Sequence, residues 1–141
     1  MHEIELQGTF LMPIDKLWQK WTEPEQMMSW FQPAGMRLNQ VMRDLREQGK
    51  YRFRFSAPDG SEQVLHGTYQ EVEEEQKLAF SWQWQDEDHC TEVSITFVPS
   101  THNGCDLSIK HSGFWDEEDR QLHEQAWLGC LERLSISSTT G

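Results

Sequence analysis

Hydrophobic positions change period twice along the chain, and the two changes divide it into three stretches. From Glu3 to Met12 the apolar side chains alternate as Ile4, Leu6, Phe10 and Met12, with Gly8 in phase, which predicts a half-buried strand. After Pro13, a residue suited to a first helical turn, Ile14, Leu17, Trp18 and Trp21 share one helical face. Thr22-Glu23-Pro24 interrupts that helix and restarts it, with Thr22 or Glu23 as cap and Pro24 in the first turn. A second short helix then turns Met27, Trp30 and Phe31 inward and ends at Pro33-Ala34-Gly35. From Met36 to His111 the period is two. A weakly patterned strand is expected over 37–45. Tyr51, Phe53 and Phe55 then alternate with Arg52 and Arg54, a Pro58-Asp59-Gly60 turn follows, and further strands are expected over 63–72 and 77–85. Leu78, Phe80, Trp82 and Trp84 share one face. Thr91, Val93, Ile95 and Phe97 precede a turn over 99–104, and Cys105, Leu107, Ile109 and His111 complete the run.

The third stretch, 115–136, is the only one with room for a long helix. Leu122, Ala126, Cys130 and Arg133, flanked by Trp127, Leu131 and Leu134, form a wide apolar stripe. Asp116 is placed to cap it, Glu117, Glu118 and Asp119 sit at the positive end of its dipole, and Arg133 with the Ser135–Thr140 tail marks the expected exit. The order is strand, two short helices, a run of antiparallel strands, one long helix. It predicts an α+β fold in which a curved six- or seven-stranded antiparallel sheet wraps on the C-terminal helix. A single cylinder does not fill a wide concave surface, so a ligand cavity is expected between helix and sheet. With no internal repeat or linker, the chain reads as one domain over 1–141, with an ordered core of about 3–136.

Composition narrows the function. Seven Trp and seven Phe supply a large core from a chain that is only 36% hydrophobic. The formal net charge of −12, with no dense Lys/Arg cluster in the sequence, argues against nucleic acid and anionic membranes as partners. No apolar run approaches the ~20 residues of a membrane helix. Three cysteines without a CxxC argue against a disulfide framework and for the cytoplasm. The acidic runs 71–76 and 85–89 read as solvated turns or, alternatively, as docking patches for a basic protein partner.

Local motifs add a resemblance. PIDKLWQKWTEPE (13–25), the Trp30-Phe31 pair, DLREQGKYRF (44–53), APDG (57–60), HGTYQEV (66–72), LAFSW (78–82) and HEQAWLGCLERL (123–134) occur in one order over about residues 5–134. Together they resemble the helix-grip, START-like superfamily (SRPBCC), in the branch named after the C-terminal domain of the activator of the heat-shock-protein-90 ATPase. The resemblance implies the helix-grip fold and a stand-alone domain with no shared catalytic residues to carry over. Nothing in the chain corresponds to the separate N-terminal domain of the eukaryotic co-chaperone. Two departures stand out: Gln48-Gly49 where the family commonly has two glycines, and Ala126-Trp127 where it commonly has Gly before the Trp. Gly49 is expected to supply the tight turn.

Candidate site residues are the aromatics expected on the concave side, Trp30, Phe31, Phe53, Tyr69, Trp82, Trp84, Phe114 and Trp127, as packed core or as the lining of a pocket for an apolar or aromatic molecule. His111 is in phase with the inward face of its strand. His66 lies in a strand whose phase stays open, either Val64-His66-Thr68 or Leu65-Gly67-Tyr69 facing in. An inward histidine orients a ligand, acts as acid or base near neutral pH, or is a satisfied structural group; His123, one turn before Trp127, is a further candidate. Arg46, Arg52 and Arg54 are assigned to the solvated face. No cofactor is expected, and no metal: there is no HExxH, and a hairpin pairing 97 with 105 holds Cys90 and Cys105 apart. Neither GxSxG nor a glycine-rich phosphate loop occurs. Three functions remain: a small-molecule-binding protein, a protein-interaction module, and a cyclase- or hydrolase-like enzyme using an inward histidine.

Overall fold

The fold is taken from a computed structural model, which describes residues 2–140, those at 136–140 as helical backbone only. Alternation produces strand β1 (Glu3–Phe10). Helices α1 (Ile14–Thr22) and α2 (Pro24–Met28) follow, then strands β2 (Arg37–Arg43), β3 (Lys50–Ser56), β4 (Glu62–Glu73), β5 (Lys77–Trp84), β6 (Thr91–Pro99) and β7 (Cys105–Ser112), and helix α3 (Glu117–Thr140). The seven strands form one antiparallel sheet in the order β1-β7-β6-β5-β4-β3-β2. Strands β2 to β7 form a meander, and β1 pairs with β7, so α1 and α2 carry the chain across the concave side from one edge to the other. This is the helix-grip α+β fold.

Bulges in β2 between Leu38 and Gln40 and in β4 between Tyr69 and Glu71 bend the sheet. Gly67 permits a close crossing of β4 over β5: a Cβ there would lie 2.1 Å from Ser81 O. Tyr51 reaches the same carbonyl, its hydroxyl donating at 2.5 Å. At the β2–β3 connection the expected role of Gly49 is shared differently. Gln48 carries the left-handed backbone (φ 69°), while Gly49 is needed because a Cβ would stand 2.0 Å from Asp44 O.

The concave face is buried as its alternation predicts: Phe53, Phe55, Leu65, Tyr69, Leu78, Phe80, Trp82, Val93, Ile95, Phe97, Leu107 and Ile109 all lie in the core with Leu17, Trp18 and Trp21 of α1. Several details differ from expectation. Pro13 occupies the capping position of α1. Neither Thr22 nor Glu23 caps α2 through its side chain; Thr22 Oγ1 donates back to Trp18 O at 2.8 Å. Trp30 and Phe31 lie beyond the end of α2, where the Phe31 N–H closes on Met27 O (2.9 Å). The β6–β7 hairpin pairs Pro99 with Cys105, a tighter register than 97 with 105, and Cys90 and Cys105 remain apart.

Helix α3 begins as expected, Asp116 Oδ1 accepting from the Asp119 N–H at 2.9 Å. Its buried row is Trp127, Cys130 and Leu134 with His123 half-buried, while Leu122 is 65% exposed. At 3.6 residues per turn Leu122 lies about 140° round the helix from Trp127, and the larger indole decides which face turns inward. The helix also continues through the serine and threonine residues assigned to its exit, where no glycine or proline stops it before Gly141.

Candidate functional site

The space between helix and sheet is divided. Deep in the core, Trp21, Met27, Trp30, Tyr51, Phe53, Tyr69, Leu78 and Phe80 enclose a void of about 20 Å³, with Phe31 and Trp127 on its near side. That is room for about one water molecule, and apolar walls leave such a void dry. On the other side of Phe31 and Trp127 lies an open groove of about 420 Å³. Phe31, Trp82, Trp84, Trp127 and Cys130 form its floor, Leu122, His123 and Ala126 of α3 one wall, and Pro33–Met36 with the β3–β4 turn the other. The rings of Phe31 and Trp127, 6.1 Å apart, are the partition between void and groove.

Sheet alternation explains the split. Phe53, Tyr69 and Phe80 project from the middle of their strands into the space that α1 and α2 close. Trp82 and Trp84 follow on β5 toward its open end, beyond those helices. Their rings meet edge to face at 5.9 Å, and Trp82 packs on Trp127 at 5.5 Å. Trp30 is pinned at the void by its indole N–H donating to Lys20 O (2.7 Å). Arg133 ties α3 to the same segment, donating from Nε to Trp30 O (3.2 Å) and from Nη2 to Gln32 O. Among the described residues, the buried indole N–H groups of Trp21 and Trp82 have no hydrogen-bond partner.

His111 is fully buried behind the groove floor, and its bonds settle its tautomer. The Trp127 indole N–H donates to Nδ1 (3.0 Å), so the ring proton sits on Nε2 and goes to Thr91 Oγ1 (2.7 Å), whose own proton goes to Trp82 O (3.3 Å). Burial, and secondarily His123, hold the His111 pKa well below the ordinary histidine value. Both nitrogens are taken by the protein. His111 is therefore a neutral strut that orients Trp127, which among the alternatives left open for it fits the satisfied structural group. Phe114 packs on it at 4.5 Å and reaches neither void nor groove. The phase of β4, left open by the sequence, has Leu65-Gly67-Tyr69 facing in, so the cavity candidate His66 stands on the outer face between Arg52 and Gln83. That outer face also brings Lys50 and Arg52 beside His66.

His123 does reach the groove. Its Nδ1 donates to Asp119 O (2.9 Å), leaving Nε2 facing the Trp84 indole N–H at 3.4 Å. Sequence reasoning missed the polar rim of Asp59, Ser61, Gln63, Asp86 and Glu87. Asp59 accepts from Ser61 N–H (2.9 Å) and Oγ–H (2.7 Å), which lowers its pKa. Glu87 is raised, by burial first and then by the carboxylates of Asp119 and Asp86. The signal available was positional: Asp86 and Glu87 come two and three residues after Trp84, and Asp59 belongs to the turn that leads into β4, the neighbour of β5. Among the described residues no three His, Cys, Asp or Glu side chains converge as metal ligands.

A helix gripped by a seven-stranded sheet, with a groove at one end of their contact, is matched by the family model described as activator of Hsp90 ATPase homolog 1-like protein over residues 11–136. The chain belongs to this family, within the START-like superfamily. Solved structures share its fold. Protein CV1439 from Chromobacterium violaceum is 22% identical with a TM-score of 0.88, over 98% of each chain. The AHSA1 protein from Silicibacter pomeroyi is 20% identical with a TM-score of 0.84, over 96% of each chain. CalU16 from Micromonospora echinospora is 21% identical with a TM-score of 0.71, over 95% of this chain and 74% of its own. No curated protein matches the chain. No helix among the described residues is long and apolar enough to cross a membrane.

Proposed function

We propose that the chain is a small-molecule-binding protein whose site is the groove between β5, α3 and the β3–β4 turn. The carrying observation is an open space of about 420 Å³ floored by Phe31, Trp82, Trp84 and Trp127. That is within the range of sites that enclose drug-sized ligands, roughly 300–1,000 Å³. The fold supports the reading, since its helix-over-sheet architecture suits ligand binding. Of the sequence candidates, Trp82, Trp84, Phe31 and Trp127 would contact the ligand; Trp30, Phe53 and Tyr69 would stiffen the core behind it. His111 would position Trp127 without touching the ligand.

An enzyme using an inward histidine draws little support, because both nitrogens of His111 are occupied. A docking site for a basic protein draws less than the groove does, since the runs 71–76 and 85–89 lie at opposite ends of β5. Eight residues of strand put them roughly 25 Å apart. The test is native mass spectrometry of purified protein, followed by calorimetric titration with neutral aromatic and aliphatic compounds. Stoichiometric binding that Ala126→Trp abolishes by filling the groove supports the proposal. Binding that persists in that variant, or a bare chain that binds nothing, overturns it.

A further inference from the structure

The rim of the groove is chemically one-sided. Asp59 on one bank and Asp86 and Glu87 on the other present three carboxylates, and no Lys or Arg lines the groove. Among the described residues none of the three makes an ion pair with Lys or Arg. Arg52, on the outer face beside Asp86, turns instead to Gln85 Oε1 (3.4 Å). His123 is the one basic group in the lining, and it is engaged with Asp119 and Trp84. Asp119, next to His123 on α3, adds a fourth carboxylate close enough to disfavour charge on Glu87. An anionic ligand would bring more negative charge into this space. A neutral ligand would leave the repulsion as it is. A cation relieves it and gains an attraction to the aromatic floor as well, since the faces of Trp84 and Trp82 are electron-rich.

We infer that the groove takes a hydrophobic amine: a ligand whose aromatic or branched aliphatic body lies on Trp82 and Trp84 and whose ammonium group sits among Asp59, Asp86 and Glu87. This rests on the groove being the ligand site and adds the charge of the ligand. A metal ion does not fit the same groups, because they lie along an apolar trough and form no convergent ligand set. The ammonium ends at the mouth of the groove, where it stays partly hydrated, and the body goes inward toward the Phe31–Trp127 partition. The affinity it adds is electrostatic and weakens as salt screens the rim.

The test is a matched set of probes: 1-naphthylmethylamine, 1-naphthylmethanol and 1-naphthoate, titrated calorimetrically at low salt and neutral pH into the full chain, its Ala126→Trp variant and its Asp86→Asn/Glu87→Gln double variant. The amine is expected to bind about tenfold or more tighter than the alcohol, and the carboxylate weakest, which corresponds to at least one charge-assisted contact. In the double variant the amine-to-alcohol ratio should collapse to within about twofold, the amine having lost two of its three rim carboxylates. Equal binding of amine and alcohol, a preference for naphthoate, or a ratio that survives in the double variant overturns the inference while leaving a groove that binds small molecules. Amine binding that survives Ala126→Trp reflects adsorption to an acidic surface and also overturns it. If none of the three probes binds, both the inference and the ligand-site reading fall.

Discussion

Two aromatic clusters lie on either side of the Phe31–Trp127 partition, built from the same residue types and facing the same helix, yet one is closed and the other open. Around the void, rings come from both layers: Trp21, Met27 and Trp30 from the α1–α2 segment meet Tyr51, Phe53 and Phe80 from the sheet. Trp21 and Trp30 close to 4.5 Å, and Tyr51 and Phe53 to 4.7 Å. Around the groove only Trp82 and Trp84 come from the sheet, and the two walls carry small or short residues, Ala126 on one and Pro33, Ala34, Ala57 and Ser61 on the other. Aromatic residues alone do not make a pocket. Whether they do depends on what faces them.

The largest effects should separate the two sides. Trp30→Ala removes a fully buried indole from the closed side and should lower stability by about 3–5 kcal/mol in chemical denaturation. Trp84→Ala, on the half-buried side, should lower it by about 1–2 kcal/mol while weakening ligand binding at least about tenfold. Equal destabilisation by the two would erase the distinction. Phe31→Ala attacks the partition itself. It should lower stability by a similar 3–5 kcal/mol and let the groove accept larger ligands by joining it to the void.

Next comes the strut behind the partition. Trp127→Phe keeps a ring but strips His111 Nδ1 of its donor, and an orphaned buried acceptor should cost about 1–3 kcal/mol. His111 also sets a pH dependence. Its folded pKa lies below its ordinary value of 6.5, so above 6.5 the folded and unfolded states bind equal protons at this site and stability is at its full value. As pH falls from 6.5 toward the lower folded pKa, the unfolded chain takes up a proton that the folded one refuses, and stability should drop by up to about 1.4 kcal/mol per pH unit. Denaturation midpoints between neutral and mildly acid pH should show this slope, and His111→Phe should flatten it; an unchanged slope would remove His111 as its source.

Smaller still is the hairpin that shapes the outer wall of the void, where the Gln48 N–H donates to Tyr69 O (2.8 Å) from a left-handed backbone. Gln48→Gly should raise stability by about 0.5–1 kcal/mol, the relief of a non-glycine left-handed residue outweighing the entropy lost by glycine. A loss of stability would mean that the Gln48 side chain itself contributes.

The thiols are ranked by rate. Cys90 is exposed, whereas Cys105 and Cys130 are buried, and burial pushes the Cys130 thiol up to about 11. A thiol reagent at neutral pH should label Cys90 well before the other two.

Strand order, the two helices and the long terminal helix were legible because period-two and helical patterns are local properties, and the concave face needed only the alternation of Tyr51-Phe53-Phe55 and Leu78-Phe80-Trp82-Trp84. Helix α3 was read less well. Leu122 and Trp127 both offered an apolar face, and the choice between them came from the sheet that Trp127 meets. His111 was legible as inward, but its tautomer and role depend on Trp127 and Thr91, which lie 16 and 20 residues away in the chain. His66 stayed undecided because the bulge at Tyr69–Glu71 and the close crossing at Gly67 obscure the phase of β4.

By itself, then, the sequence determined the elements, their order, the aromatic character of the concave side and membership of a helix-grip family, because each follows from side-chain periodicity and motif order along a continuous chain. Only the tertiary structure decided that the aromatic space is two compartments, that Phe31 and Trp127 divide them, and that Asp59 and Glu87 share the rim of one. Those facts depend on distances between residues far apart in the chain, set by sheet register and by the angle at which one helix lies across seven strands, and no local pattern encodes them.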